Sequence, residues 1–460
     1  MEGAPLRRLE SWGRFPVAQA EVRDLHWRAE DPFAGVNQRA LAYGLGRSYG
    51  DSCLNDGGLL LSTRGLDRFV AFDPATGVLR CEAGVSLAEI IDLTLPQGWF
   101  PRVVPGTKHV TVGGAIANDI HGKNHHRAGT FGAHVRALEL CRSDGSRRVC
   151  SREDSPELFA ATVGGLGLTG VVTWAELQLR KVAGPYIAAE TVEVPDLDHF
   201  FQVSAESDAR FEYTVAWVDV LARGRHIGRG LFYRGNHAET PARPGEAGRG
   251  RLSVPFDLPS ATLNRLTVSA FNFAYYRKNR RQRGEREQHL DGFFFPLDGV
   301  GRWNRIYGKR GLLQFQCAVP TAAAPEVIRE LLGRIAAAGQ GSFLAVLKTF
   351  GEVPSPGLLS FPRKGVTLAL DFANRGPKTL ELVRQLYAVA RQGGGAFYPA
   401  KDAVMSPEDF AASYPRLAEF ERHLDPACSS GFWRRVREGH PYQPSLPLGP
   451  PAAGGKGVTP

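Results

Sequence analysis

The sequence predicts an α+β protein of two domains. Its 460 residues are too many for one ordinary domain, at roughly 100–200 residues each. Residues 1–183 alternate short apolar runs with glycine turns and hold few helical patterns. From residue 312, strand and helix patterns follow one another as β-α-β-β-α-β, the ferredoxin-like succession, which implies an antiparallel sheet.

The elements follow in chain order. Ser86 and Glu89 form a capping box ahead of Ile90 and Ile91 and start a helix. Residues 136–142 and 147–151, joined through Asp144-Gly145, read as a hairpin. Ser155-Pro156-Glu157 starts a second helix, with Ser as N-cap and Pro in the first turn. Residues 223–250, rich in Gly and Arg, read as loop, and so does the run 277–286, with six basic residues in ten. Strands are expected at 312–319, 343–350, 366–372 and 396–401. Helices are expected at 325–338, ended by Gly339, and at 377–391, closed by three glycines. A last helix begins at Ser406-Pro407-Glu408, and the Pro/Gly-rich tail 441–460 is expected to be disordered.

Composition narrows the classes. With 43% hydrophobic and 22% charged residues, the chain is not a disordered segment, a coiled coil or a disulfide scaffold. No run reaches the ~18 apolar residues of a membrane span. Residues 1–16 carry five charges and no apolar core, so no signal peptide is expected and the cytoplasm is the expected compartment. The net charge of +9 favours anionic partners: nucleic acid, a phosphorylated small molecule or a membrane surface. The cysteines show no C-x-x-C spacing, which points away from zinc or a redox dithiol and toward buried free thiols. Cys141 and Cys150 flank a turn, so a facing pair is the alternative.

Two stretches match a dinucleotide fingerprint superficially. In Gly165-Leu166-Gly167-Leu168-Thr169-Gly170 a helix precedes and a strand follows, the reverse of a Rossmann site. In Gly44-Leu45-Gly46-Arg47-Ser48-Tyr49-Gly50, turn-forming residues follow, so this is a loop whose N–H groups can cradle phosphate oxygens. Gly113, Gly114, Ala115 and Ala117 then let a flat ligand approach the backbone, and His121, Lys123, His125 and His126 come directly after. These histidines have only Asp119 as an acidic neighbour in sequence, so a metal site is not expected.

Taken together, these strings resemble the FAD-binding domain of the vanillyl-alcohol-oxidase (PCMH-type) flavoproteins. In particular they resemble the branch that oxidises polyprenylphosphoryl-ribose. The resemblance rests on G-L-G-R-S-Y-G-D at 44–51, D-I-H-G-K-N-H-H at 119–126 and A-T-V-G-G-L-G-L-T-G at 161–170. W-N-R-I-Y-G at 303–308, L-Q-F-Q at 313–316 and A-K-D at 400–402 follow in register. The resemblance spans about 40–430 and is weakest at 222–290.

It implies an FAD domain over 1–183, a substrate domain over 184–395 and a segment, 396–440, returning to the FAD domain. FAD contacts carry over to Gly44, Leu45, Gly46, Arg47, Ser48, Tyr49, Gly50, Gly106, Thr111, Val112, Gly113, Gly114, Asn118, His121, Val172 and Tyr398. Many relatives attach FAD through a histidine in the first glycine loop. Arg47 stands there instead, which implies noncovalent FAD.

The implied reaction oxidises the 2′-hydroxyl of a polyprenylphosphoryl-β-D-ribose to a ketone, with hydride passing to the flavin. This is one step of an epimerisation that a separate keto-sugar reductase completes, and an electron acceptor must reoxidise the flavin. By the same resemblance Lys401 supplies a cation beside the flavin, and His121 or Lys123 helps deprotonate the hydroxyl. Tyr307, Gln314, Gln316 and Lys348 match substrate positions, and Trp217 is a candidate apolar wall or a core residue. Lys348 is the only charge in 343–350, and a substrate phosphate is a candidate partner. Ala369 replaces a family cysteine that oxidation does not require, and Thr367 also departs from the family.

The rival reading keeps the flavin and takes a free polyol, sugar or other small alcohol. A nucleic-acid binder would need aromatic platforms or a groove-reading motif beside the basic run, and neither is present. The apolar, aromatic stretch 263–276 followed by 277–286 reads equally as core plus loop or as a peripheral membrane contact at the inner face.

Overall fold

A computed structural model describes residues 5–242, 252–259, 262–281 and 284–439; the predicted tail lies outside them. Two sheets are built from the first part of the chain. Arg7–Glu10 (β1), Val17–Asp24 (β2), Ala40–Tyr43 (β3) and Leu59–Ser62 (β4) pair in the order β1-β2-β4-β3. β4 runs parallel to both neighbours and is buried at every position. Phe69–Asp73 (β5), Val78–Glu82 (β6), Trp99–Pro101 (β7), Val135–Cys141 (β8), Arg147–Ser151 (β9) and Val171–Lys181 (β10) form the second. Its order is β5-β6-β10-β8-β9, with β7 on the far end of β10.

The expected hairpin is β8-β9, with Cys141 opposite Arg147 and Cys150 opposite Leu138. The two thiols therefore do not face each other, and all six cysteines are free. Leu87–Thr94 (α1) starts at the Ser86–Glu89 capping box. Val112–Ala117 (α2) starts at Thr111, whose hydroxyl accepts from the Gly114 amide. Pro156–Thr162 (α3) begins where expected, but Ser155 is left-handed (φ 54°) and its hydroxyl caps nothing. The start is set by Pro156 and the turn, not by a side-chain cap.

The third sheet has eight strands. Tyr186–Val194 (β11), Tyr213–Val218 (β12), Gly230–His237 (β13) and Glu285–His289 (β14) make one half. Leu312–Val319 (β15), Ala345–Phe350 (β16), Gly365–Ala373 (β17) and Ala396–Phe397 (β18) make the other. The order is β14-β11-β13-β12-β16-β17-β15-β18, so each half reads fourth, first, third, second from its outer edge. The halves join where Ala216 and Trp217 pair antiparallel with Leu347 and Val346.

Three expectations fail in this sheet. Residues 230–237 are an interior strand, not loop. A Cβ on Gly230 would lie 2.1 Å from the Trp217 carbonyl oxygen, so this glycine serves close strand approach. The basic run is loop only in part: Arg277 to Asn279 end a helix, Glu285 and Arg286 begin β14, and residues 282–283 between them lie outside the described residues. The strand expected over 396–401 stops at Phe397, and Pro399–Lys401 is a 3₁₀ turn, because Pro399 cannot donate to a ladder.

Leu197–Asp208 (α4), Ala324–Ala338 and Pro377–Gln392 cover one face around Phe200, Phe232, Leu331 and Leu386. Strand alternation turns Trp217 and Tyr233 to the other face, where Arg265–Asn279 (α5) packs on them through Tyr275 and Tyr276. The chain finally returns to the first sheet. Arg435 binds both oxygens of Asp51 at 2.7 and 3.0 Å and reaches Asp402 at 2.8 Å. Breaking such a buried ion cluster costs about 3–5 kcal/mol. It pins Lys401, one residue away, against the glycine loop.

Candidate active site

A cavity of about 1200 Å³ lies where the three sheets meet. That exceeds the roughly 300–1,000 Å³ of ordinary small-molecule pockets. The room suits a long cofactor with a second molecule beside it.

The first wall is the glycine loop. Gly46 has φ +60°, and a Cβ on Gly50 would sit 1.5 Å from the Asp402 carbonyl oxygen. The loop is held at both sides: the Trp12 amide donates to the Ser48 oxygen and the Tyr49 amide to the Ala400 oxygen, each at 2.8 Å. Arg47 lies 4.3 Å over the Trp12 ring. The second wall is α2 and its approach, where Gly106, Thr111, Gly113, Gly114 and Asn118 face the cavity. Gly167, Gly170 and Val172 close a third side.

One end gathers His121 and three lysines. His121 lies between Lys348, whose Nζ is 2.9 Å from Nδ1, and the Gln316 amide, 3.0 Å from Nε2. Burial, reinforced by the Lys348 charge, holds His121 far below the ordinary histidine range, so its ring is neutral. Lys348 also donates to the Gly122 oxygen at 3.0 Å. Burial pulls it down to about 7, with Lys123 and Lys401 adding repulsion. Lys123 donates to the Phe294 oxygen at 3.0 Å and is lowered by burial to about 8. Lys401 sits 3.9 Å above the Tyr49 ring and is lowered by burial to about 8, opposed by the negative charge of Asp371. Tyr398 donates to the Asn118 oxygen at 2.9 Å and stacks on Phe361.

Most of the residues expected at the site are thus brought together. Three are not on the wall: Gly50 is packed on Asp402, Val112 is fully buried in the apolar core, and Tyr307 points to Asp371 (3.4 Å) and Ser342. Trp217 lines the cavity, and its indole donates to the Phe343 oxygen at 2.9 Å.

Sequence reasoning missed Asp371. Burial raises it to about 7, and it gathers Gln314 and Tyr307 by hydrogen bonds beside Lys401. The signal was available: Thr367, Ala369 and Asp371 share a strand face by period two. Also missed were Trp12, Tyr43 at the end of β3, Asp298, and the aromatic pair Phe293 and Phe294 on the short helix Leu290–Phe294.

The chemistry of this wall fits a flavin dinucleotide. Arg47 Nε, Ser52 Oγ and Gln314 Oε1 are buried, border the cavity and have no hydrogen-bond partner among the described residues. Buried polar groups ordinarily find one. Glycines let a planar ring approach the backbone, and three ammonium groups await anionic charge.

Known proteins agree with the geometry. A model described as "FAD binding domain" matches residues 33–151. The chain is 36% identical over 443 residues to the decaprenylphosphoryl-beta-D-ribose oxidase of Mycolicibacterium smegmatis, covering 91% of this chain and 95% of that protein. An uncharacterized protein of Streptomyces coelicolor is 36% identical over 348 residues, 73% of this chain and 94% of its own. Cytokinin dehydrogenase 6 of Oryza sativa is 31% identical over 138 residues, 29% of this chain and 26% of its own.

Proposed function

The chain belongs to the FAD-binding oxidoreductase family that includes decaprenylphosphoryl-beta-D-ribose oxidase, and we propose that it oxidises the 2′-hydroxyl of a polyprenylphosphoryl-β-D-ribose to the 2′-keto sugar. The observation that carries this reading is the convergence of Lys348, which is buried, and Lys123 and Lys401, which are half-buried, on one end of a glycine-walled cavity. Buried ammonium groups are costly without a counter-charge. An anionic cofactor and a phosphorylated substrate supply it; a free polyol or other small alcohol, the rival, supplies less.

Bound FAD supplies the hydride acceptor. It is held noncovalently, since the glycine loop carries Arg47 and no histidine. Gly44 to Ser48 and Gly113 to Asn118 form its backbone cradle. Lys401, fixed by the Tyr49 ring beneath it, offsets the negative charge that accumulates during transfer. The hydroxyl proton is taken up at this end by His121, whose ring is neutral, or by Lys123 in its deprotonated form, which its value of about 8 brings within reach. Gln316 and Lys348 hold the His121 ring in one orientation from both sides. Gln314, tied to Asp371, and Lys348 orient the sugar and its phosphate. The FAD-binding and substrate-binding units of this reading are 1–183 with 396–440, and 184–395. The keto product requires a separate reductase, the reduced cofactor requires an electron acceptor, and a lipid-linked substrate requires access to a membrane surface.

The test is the absorption spectrum of the purified protein, followed by anaerobic addition of detergent-solubilised polyprenylphosphoryl-ribose. A yellow protein that releases FAD on denaturation and bleaches with this substrate supports the proposal. A yellow protein that bleaches only with free sugars or polyols shifts it to the rival.

A further inference from the structure

We propose that α5 is a lipid-docking element that lies on an anionic membrane surface and opens the cavity toward it; this rests on the lipid-linked substrate reading above.

The central turns of the helix carry no charge on either side. Its inner stripe, Val268, Asn272 and Tyr276, is buried, with Asn272 donating to Asp219 at 2.9 Å and Tyr276 to Glu193 at 2.6 Å. Its outer side would ordinarily be charged. Here residues 266–276 contain no charge at all. Leu266 is 81% exposed and Phe273 55% exposed, with small residues Ser269, Ala270 and Ala274 around them. Of ten exposed large apolar side chains among the described residues, five fall between 252 and 273, so the exposed apolar surface is concentrated here.

Charge identifies the occupant. Arg265, Arg277, Lys278, Arg280 and Arg281 flank the apolar face, and residues 262–281 contain no Asp or Glu. A second copy docked by two-fold symmetry would bring like charges together. Anionic headgroups complement the flanks while the acyl boundary takes up Leu266 and Phe273. The surface is continuous with the cavity: Phe271, half exposed, stacks on Tyr275 and meets Phe343, and all three line it.

The test is flotation of the full-length holoenzyme with vesicles of phosphatidylglycerol and phosphatidylcholine, and with phosphatidylcholine alone. The wild type is expected to float with the anionic vesicles and to be released by salt. Leu266→Ser/Phe273→Ser and, independently, Arg277→Glu/Lys278→Glu are expected to weaken this at least roughly tenfold. None of these residues borders the cavity, so flavin absorbance and turnover of detergent-solubilised substrate should stay unchanged while turnover of vesicle-borne substrate falls. Wild type that does not float, or variants that float equally well, overturns the proposal. So does a dimer of the wild type that both variants dissolve. Bleaching by detergent-solubilised substrate reads the proposed function without vesicles: flotation without bleaching keeps the docking face and rejects only the substrate.

Discussion

The two halves of the eight-stranded sheet share one strand order and turn opposite chemistry toward the cavity. β11 to β14 present Trp217 and Tyr233, roofed by the aromatic side chains of α5. β15 to β18 present Gln314, Gln316, Lys348 and Thr367, with Asp371 behind. The backbone topology is repeated, but the side chains at alternate positions decide what each half can hold. The aromatic half suits a hydrocarbon chain; the polar half suits a phosphorylated sugar and the reacting end of a flavin. Antiparallel pairing tolerates either, because it constrains the ladder and not the exposed face.

The largest effect should break the polar half alone. Lys401→Ala removes the cation over Tyr49 and is expected to lower kcat by roughly 10²–10³ while FAD is retained, as for loss of one electrostatic stabiliser. A loss of less than a few fold in stopped-flow bleaching would place the essential charge elsewhere.

Next is the pH dependence of stability in the FAD-free protein. Lys348 at about 7, and Lys123 and Lys401 at about 8, lie below the ordinary lysine value. Below these values folded and unfolded chains are both protonated, and the cost of burying the ammonium groups is full. Above them the folded chain sheds protons that the unfolded chain keeps, so stability rises with pH. Asp371, raised to about 7, acts in the window below that and does not oppose the rise. Between pH 7 and 9 denaturant titration should show the wild type gaining about 2 kcal/mol relative to Lys348→Met, a difference from which the opposing effect of the buried thiols, raised by burial, cancels, and the gain should flatten when FAD is bound.

Asp371→Asn should cost roughly tenfold in kcat/KM, through loss of a charge-assisted hydrogen bond. It should also move the alkaline limb of the pH profile to lower pH, since Asp371 raises the Lys401 value. Rescue of that limb by Asp371→Glu separates this role from a merely structural one. The smallest effect belongs to the aromatic half: Trp217→Ala should raise KM for the polyprenyl substrate roughly fivefold with kcat little changed, by loss of apolar contact. An equal loss on kcat would place Trp217 in the reacting geometry and dissolve the contrast between the halves.

Much of this was legible because it is local. Capping residues such as Ser86 and Ser406, the hairpin turn at Asp144-Gly145 and the helical periods of 325–338 and 377–391 act within a few residues. The long motif strings carried the family and the cradle. What was not legible depends on pairing. The strand at 230–237 has only three consecutive apolar residues, Leu231 to Tyr233, among glycines and polar groups, and its pairing with β11 and β12 extends it over eight residues. Asp371 has no local mark; it matters because β17 lies against β15 and so brings its carboxylate to Gln314.

The sequence by itself therefore determined the local elements, the glycine walls and the reagents of the site, since spacing and backbone freedom are properties of neighbouring residues. Only the tertiary structure decided that Lys123, Lys348 and Lys401 meet, that the two sheet halves mirror each other, and that α5 leaves an apolar face outward. Those facts arise from contacts between segments far apart in the chain, where burial sets the charge state of each group and no single segment carries the information.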